Sequence, residues 1–228
     1  MADLILVLGE SGSGKSKSIE NLPAKNTFVI NVVGKQKRLP FKGSGSSYTE
    51  YNEADNTGNL LTTRDWGLII KIVRRISKTR PEIRFIVLDD NQYLSLFEYT
   101  SRIQERDWQK FNTITTNTVD MVDGLSALRD NLMVFVLQHI ENGATVEGKE
   151  LIRAKSMGKF IQEKITYEGL YTIVLLCDKE EESGGELNHF FWTRRVNSTV
   201  KTPVGMFEDQ KIPNDLWLVA KSIHNYFK

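Results

Sequence analysis

The sequence predicts an α/β fold, a mostly parallel central sheet flanked by helices. Three observations carry that prediction. Short apolar, β-branched runs alternate with longer amphipathic segments, as expected for strands buried on both faces by crossover helices. The first run, Leu4–Leu8, leads directly into the glycine-rich stretch Gly9–Ser16. A later run, Arg84–Leu88, ends in two acids, Asp89 and Asp90. The chain has 228 residues, 40% hydrophobic and 26% charged, which is the composition of a folded protein and not of a disordered one. No shift in composition divides it, so one domain over residues 1–228 is expected.

The elements follow in order. Leu4–Leu8 is a strand and Lys15–Asn21 a short helix. Thr27–Val33 is the second strand. Gly34–Thr62, rich in Gly, Ser, Asn and charge, reads as an irregular loop. Thr63–Thr79 places Trp66, Ile69, Ile70, Val73 and Ile76 at helical spacing. Arg84–Leu88 is a strand, Leu94–Gln104 and Trp108–Arg129 are helices, and Leu132–Leu137 is a strand. Thr145-Val146 and Leu151-Ile152 flank a turn and form a hairpin. Gly158–Tyr167 is a helix and Tyr171–Cys177 a strand. The acidic turn Glu180–Glu186 lets Tyr171–Cys177 pair antiparallel with His189–Val196, adding a β-ribbon near the C-terminus. Asn214–Phe227 is an amphipathic helix with Leu216, Val219, Ala220, Ile223 and Phe227 on its packed side.

Charge and cysteine content exclude several classes. Thirty Lys and Arg against 29 Asp and Glu give a net charge of +1, so nucleic-acid contact must come from local patches. Cys177 is the single cysteine, which excludes an internal disulfide; its apolar run makes it a buried strand thiol. No apolar stretch approaches the roughly 20 residues of a membrane span. Met1–Leu8 lacks a basic leader and a small-residue cleavage site. The expectation is a cytoplasmic protein with no membrane partner.

Gly9-Glu10-Ser11-Gly12-Ser13-Gly14-Lys15-Ser16 matches G-x-x-x-x-G-K-[ST] at every position, between a strand and a helix. Glycines let the backbone curl so that successive N–H groups face phosphate oxygens. The helix N-terminus adds partial positive charge. Lys15, expected on the solvent side, brings a mobile cation to the β and γ phosphates, and Ser16 offers a hydroxyl to Mg²⁺. ATP with Mg²⁺ is the implied cofactor, held by Gly9, Glu10, Ser11, Gly12, Ser13, Gly14, Lys15 and Ser16. Asp89, at the carboxyl end of a buried strand, would hold the metal with Ser16, since ligands of open α/β sheets sit at that edge. Asp90 is placed to polarise the attacking water, and Glu53 is the alternative loop acid. Gln138, at the tip of Leu132–Leu137, is assigned the γ-phosphate sensor; its neighbour His139 reads as structural. The three histidines are too dispersed for a zinc site.

Basic residues cluster in four places: Lys35 to Lys42, Arg74 to Arg80, Arg153 to Lys159, and Arg194-Arg195 with Lys201. Loop-borne patches of this kind can track a phosphate backbone, with Phe41, Tyr48 and Tyr51 available to stack on bases. Arg194, or its neighbour Arg195, at the end of the ribbon would reach a neighbouring subunit's nucleotide as an arginine finger. Trp192 and Trp217 would join the stacking residues if exposed.

Gly9–Ser16, Arg84–Asp90 and the tip Gln138-His139, with Lys201-Thr202-Pro203-Val204-Gly205-Met206-Phe207 and Ile212-Pro213-Asn214-Asp215-Leu216, resemble the phage-encoded AAA-type P-loop ATP-binding proteins with a RecA-like core. That family includes single-strand annealing recombinases. The resemblance spans almost the whole chain. It implies a RecA-like P-loop NTPase core, ATP and Mg²⁺, single-stranded DNA, a single-stranded-DNA-binding protein as partner, and homo-oligomers. In one respect the sequence departs from the pattern. The glutamate that many RecA-like enzymes carry before the aspartate strand has no counterpart beyond Glu53, which argues for slow hydrolysis. Two other readings share the P-loop. One is a loader or interaction module that binds ATP and scarcely turns it over. The other is a small-molecule or nucleotide kinase, although no arginine-rich lid is evident.

Overall fold

The computed structural model describes residues 1–34, 38–146, 149–155 and 166–228. Strands β1 (Asp3–Gly9), β2 (Thr27–Asn31), β3 (Leu60–Thr62), β4 (Phe85–Asp89), β5 (Met133–Val146), β7 (Ile173–Glu181), β8 (Leu187–Trp192) and β9 (Lys211–Pro213) form a sheet in the order β3-β2-β4-β5-β1-β7-β8-β9. The first six are mutually parallel. β8 pairs antiparallel with β7, the ribbon expected near the C-terminus, and β9 extends it by a strand the sequence did not announce. β6 (Lys149–Ala154) pairs with the far half of β5, which runs seven residues past its pairing with β1.

Period-2 alternation divides the strand side chains between two cores. Leu4, Leu6 and Leu8 face helices α2 (Trp66–Thr79) and α4 (Gln109–Ser126), joined by Leu94 of α3 (Gln92–Ser101). Ile5 and Val7 face the opposite layer, where Ile19 and Leu22 pack with α5 (Leu216–Tyr226). The local reasons for the helices are plain. Asp65 caps α2 by accepting from the Leu68 amide at 3.0 Å, and Ile69, Ile70, Ile72, Val73 and Ile76 form its buried face. Asp215 caps α5 by accepting from the amides of Trp217 and Leu218. Such caps contribute about 1 kcal/mol each.

Several expectations are revised. The region 34–62 holds a one-turn helix α1 (Ser44–Ser47) and the edge strand β3, which pairs in parallel with β2. Its polar composition hid a strand of three residues. The helix expected over Lys15–Asn21 is a single 3₁₀ turn, Ser16–Ile19. Phe227 lies past the end of α5 and is exposed. The helix expected over 158–167 falls almost wholly outside the described residues, as do Lys35, Lys37 and Lys159 of the basic patches. Among the described residues, no helix is long and apolar enough to cross a membrane.

Phe135 is fully buried near the start of β5, in the segment that joins β1 to β4. Phe135→Ala is expected to destabilise the fold by about 3–5 kcal/mol, because the cavity cannot collapse between paired strands. Urea unfolding followed by circular dichroism measures it; a loss under 1 kcal/mol would contradict this packing.

Candidate functional site

Parallel pairing brings the carboxyl ends of β1, β5 and β4 to one edge of the sheet. The loop Gly9–Lys15 leaves β1 there, with Gly12 at φ +76° and Gly14 at φ +103°, conformations that side-chain-bearing residues rarely adopt. The Lys15 ammonium lies across the loop and donates to the Gly9 and Glu10 carbonyls, each at 2.8 Å. It is 5% exposed, so the solvent-side position expected for it is corrected: the loop wraps its own cation. Burial lowers its pKa; the nearby Cys177, Asp90 and Asp89 partly oppose that shift.

Asp89 ends β4 beside this cation. Its Oδ1 accepts from the Ser16 hydroxyl at 3.0 Å. Complete burial, and then the neighbouring Asp90 charge, push its pKa up to about 6 against the pull of Ser16 and Lys15. A carboxylate and a hydroxyl this close form the oxygen pair a hard divalent cation takes, and magnesium needs few protein ligands because phosphate and water complete its shell. The residues fit the ion. Asp90 stands one residue on, at φ +65°. That left-handed backbone swings its carboxylate toward the loop, away from the direction the strand would give. Burial alone would raise its pKa; hydrogen bonds from His139 (3.3 Å) and Gln92 (3.3 Å) outweigh this and hold it below the usual range.

A cleft of about 310 Å³ opens over the loop, bounded by Ser11, Lys15, Ser16, Asp90, Tyr93 and His139. Of the two residues at the tip of the β5 core, the one expected to be structural lines the cleft and the one expected at the γ-phosphate does not. His139 faces the cleft. Gln138 is 3% exposed and points to the other layer, where it accepts from Asn91 Nδ2 (2.8 Å) and donates to the Lys155 carbonyl (2.7 Å). The alternation of side chains along β5 decides this: Gln138 shares the face of Leu8, its partner in register.

Other expected residues are placed elsewhere. Glu53 is in the loop before β3, paired with Lys71 of α2 at 2.7 Å, while its carbonyl accepts from Arg75. The structure does not bring it to the phosphate loop. Arg194 is exposed and donates to the Glu208 carbonyl at 2.8 Å, and Arg195 pairs with Asp178 at 3.0 Å. Tyr48 and Tyr51 are buried, with Phe41 packed edge-on against Tyr48 and Tyr51 against Phe28, so these rings are core and not a stacking surface. Trp217 packs on Phe85, and Trp192 is half-buried between Arg195 and Lys211. Cys177 is buried as expected, its pKa raised to about 11 by burial.

Sequence reasoning missed the outer wall of the loop. Lys179 Nζ lies 3.9 Å from where a side chain on Gly12 would begin. His189 Nδ1 contacts the Ser13 carbonyl at 2.6 Å, Cys177 donates to the same oxygen at 3.1 Å, and Asn214 Nδ2 donates to the Gly14 carbonyl at 3.0 Å. These partners lie more than 160 residues from the loop in sequence. The segment Ile212–Leu216, singled out in the sequence, contains Asn214 and was a local signal of this wall.

A glycine loop after the first parallel strand, an acid-tipped strand two places away and a further strand between them set a P-loop at the carboxyl edge of a mostly parallel α/β sheet, the arrangement of the P-loop NTPases. Folds of this class generally bind nucleotide with magnesium. No family model matches the sequence, and no curated protein matches it. Among solved structures, the chain is similar to the KaiC-like protein PH0186 from the hyperthermophilic archaeon Pyrococcus horikoshii OT3. The TM-score is 0.44 and the identity 12%, over 83% of this chain and 77% of that one. The assignment of fold rests on the strand order and the loop.

Two predictions follow from this geometry. His139→Ala is expected to lower nucleotide turnover with little change in melting temperature. Gln138→Ala is expected to cost about 1–3 kcal/mol of stability, because Asn91 and the Lys155 carbonyl lose a buried partner; paired melts and turnover assays separate the two. The second concerns pH. Asp89 has a folded-state pKa above its unfolded value of 3.8, so its contribution is fully present below about pH 4 and is lost as pH rises through about 6. Asp89→Asn keeps an acceptor for Ser16 and should therefore stabilise the metal-free protein at pH 8 by on the order of 2–3 kcal/mol, a gain that vanishes near pH 4. Melting curves across that range test the sign.

Proposed function

We propose that this protein is an ATP-binding, slowly hydrolysing P-loop ATPase that acts on single-stranded DNA, pairing or annealing strands in phage recombination or replication. The observation that carries the nucleotide part is the convergence of Lys15, Ser16, Asp90 and His139 on one open cleft, with Asp89 bonded to Ser16 behind it. In this reading the loop amides and Lys15 bind the phosphates, and Ser16 and Asp89 hold magnesium. The metal, when bound, neutralises charge on the β and γ phosphates. Asp90, held ionised by His139 and Gln92, orients water on the cleft side of the loop. His139, bonded to Asp90 through Nε2, lines the same cleft and holds that carboxylate in place.

The DNA part rests on the resemblance of the sequence to phage annealing proteins and on exposed cations of the basic segments, among them Arg38, Arg74, Lys78 and Lys155. A single-stranded-DNA-binding protein as partner and a homo-oligomer belong to the same proposal, as does Arg194 acting across a subunit boundary. One observation favours the second reading, a nucleotide-dependent loader with little turnover: both hydrogen bonds to Asp90 occupy the same carboxylate oxygen and weaken it as a base.

Calorimetry with ADP and ATP tests the first step. Lys15→Ala is expected to weaken ADP binding by about 10–100-fold, the loss of a charge-assisted contact. Fluorescence anisotropy of a labelled single-stranded oligonucleotide at low salt, with ATP and Mg²⁺, tests the second. Binding that strengthens with ATP and falls steeply with salt supports the proposal; absence of binding under those conditions overturns the DNA role. Brisk DNA-stimulated hydrolysis would remove the loader reading.

A further inference from the structure

A trans peptide is planar, with its C=O and the following N–H pointing in opposite directions. Whatever holds the carbonyl of one loop residue therefore aims the amide of the next. The carbonyls of Ser13 and Gly14 are both held from outside the loop. Ser13 O receives the His189 ring at 2.6 Å and the Cys177 thiol at 3.1 Å. A carbonyl can only accept, so His189 carries its proton on Nδ1. Gly14 O receives Asn214 Nδ2 at 3.0 Å, besides the Ser18 amide at 3.0 Å. The Cys177 sulfur also lies 3.4 Å from Asn214 Oδ1, so the same side chain packs against both braces.

These side chains come from β7, from β8 and from the residue before the α5 cap. A further contact locks that cap to the loop's own continuation, since Asn21 donates to Asp215 at 2.9 Å. The approach is close enough to demand glycine at residue 14. A Cβ there would stand 2.6 Å from Asn214 Nδ2 and 2.9 Å from His189 Nδ1. The four-residue 3₁₀ turn after the loop supplies little dipole, so the direction of individual amides matters more here than in a loop that opens a long helix.

We infer that the C-terminal ribbon and the start of α5 are part of the phosphate site: His189 and Asn214 are positioning residues that turn the Gly14 and Lys15 amides toward a bound polyphosphate. This inference rests on the nucleotide reading above and goes beyond it, because it ties phosphate affinity to residues that touch no ligand. The ribbon is then no appendage of the core; a partner that displaced it would loosen nucleotide.

The test uses the whole chain and ADP as probe. His189→Ala and Asn214→Leu, each removing one donor, are expected to weaken ADP binding about fivefold apiece, and the double variant more than either. His189→Asn places an amide nitrogen near the Nδ1 position and should restore most of the affinity. A role in stability alone would lower the melting temperature without this rescue and without loss of ADP affinity. If an alanine or leucine variant fails to fold, comparison of His189→Asn with His189→Leu decides. Wild-type protein that binds no ADP would overturn the nucleotide reading itself. Wild-type protein that binds ADP, with folded variants binding within twofold of it, would overturn the brace alone.

Discussion

Leu8 lies beside Gln138, and Leu88 beside Val136, in a continuous parallel ladder through β1, β5 and β4. Because parallel strands end on the same edge, this register places the phosphate loop, the tip of β5 and the acids after β4 within one hydrogen-bonded neighbourhood. A slip of one residue in β5 would turn His139 into the helical layer and Gln138 toward the loop. The apolar side chains prevent that slip: Val134 and Val136 must face α2 and α4, while Phe135 and Leu137 must face the layer of α5.

Charge is concentrated at that edge at the cost of desolvation. Lys15 and Asp89 are both almost inaccessible, and burial opposes the ionised form of each. The arrangement holds because the lysine is hydrogen-bonded to loop carbonyls and the aspartate to Ser16, which satisfies buried polar groups locally. Asp90 differs. Its left-handed backbone and the donors His139 and Gln92 keep it ionised and turned to the cleft. Two adjacent carboxylates thus have opposite character, one buried with its pKa raised and the other held ionised at the cleft. A residue that is neither Gly nor Asn holds this backbone because Asn91, next along, is tied into β5 through its amide and into Gln138 through its side chain.

The polar cluster behind the cleft links the site to the rest of the chain. Asn91 donates to both Gln138 and Tyr167, Tyr167 meets Tyr171, and Gln138 reaches the Lys155 carbonyl at the end of the β5–β6 hairpin. On the other side, the ribbon holds the loop through His189 and Asn214. The phosphate loop is therefore supported from strands contributed by the last third of the sequence, although its motif is complete within the first sixteen residues.

Much of this protein was legible in the linear chain. Apolar runs located β1, β2, β4 and β7 to within a few residues, and the start of β5 but not its extension to Val146, because strands buried on both faces must be apolar throughout. The loop motif and the acids at the end of β4 were equally plain, and the structure brings them to one edge of the sheet. What depends on register, on φ or on distant neighbours was not. Gln138 and His139 are adjacent in sequence and differ only in which way the pleat turns them. Glu53 is acidic and near the motif in number, yet an ion pair with Lys71 holds it on α2. Tyr48 and Tyr51 sit among polar residues but are drawn into the core by Phe41 and Phe28. Residue type determined the chemistry this chain carries; three-dimensional packing decided which residues share it, because a strand's alternation and a contact spanning 200 residues leave no local trace in sequence.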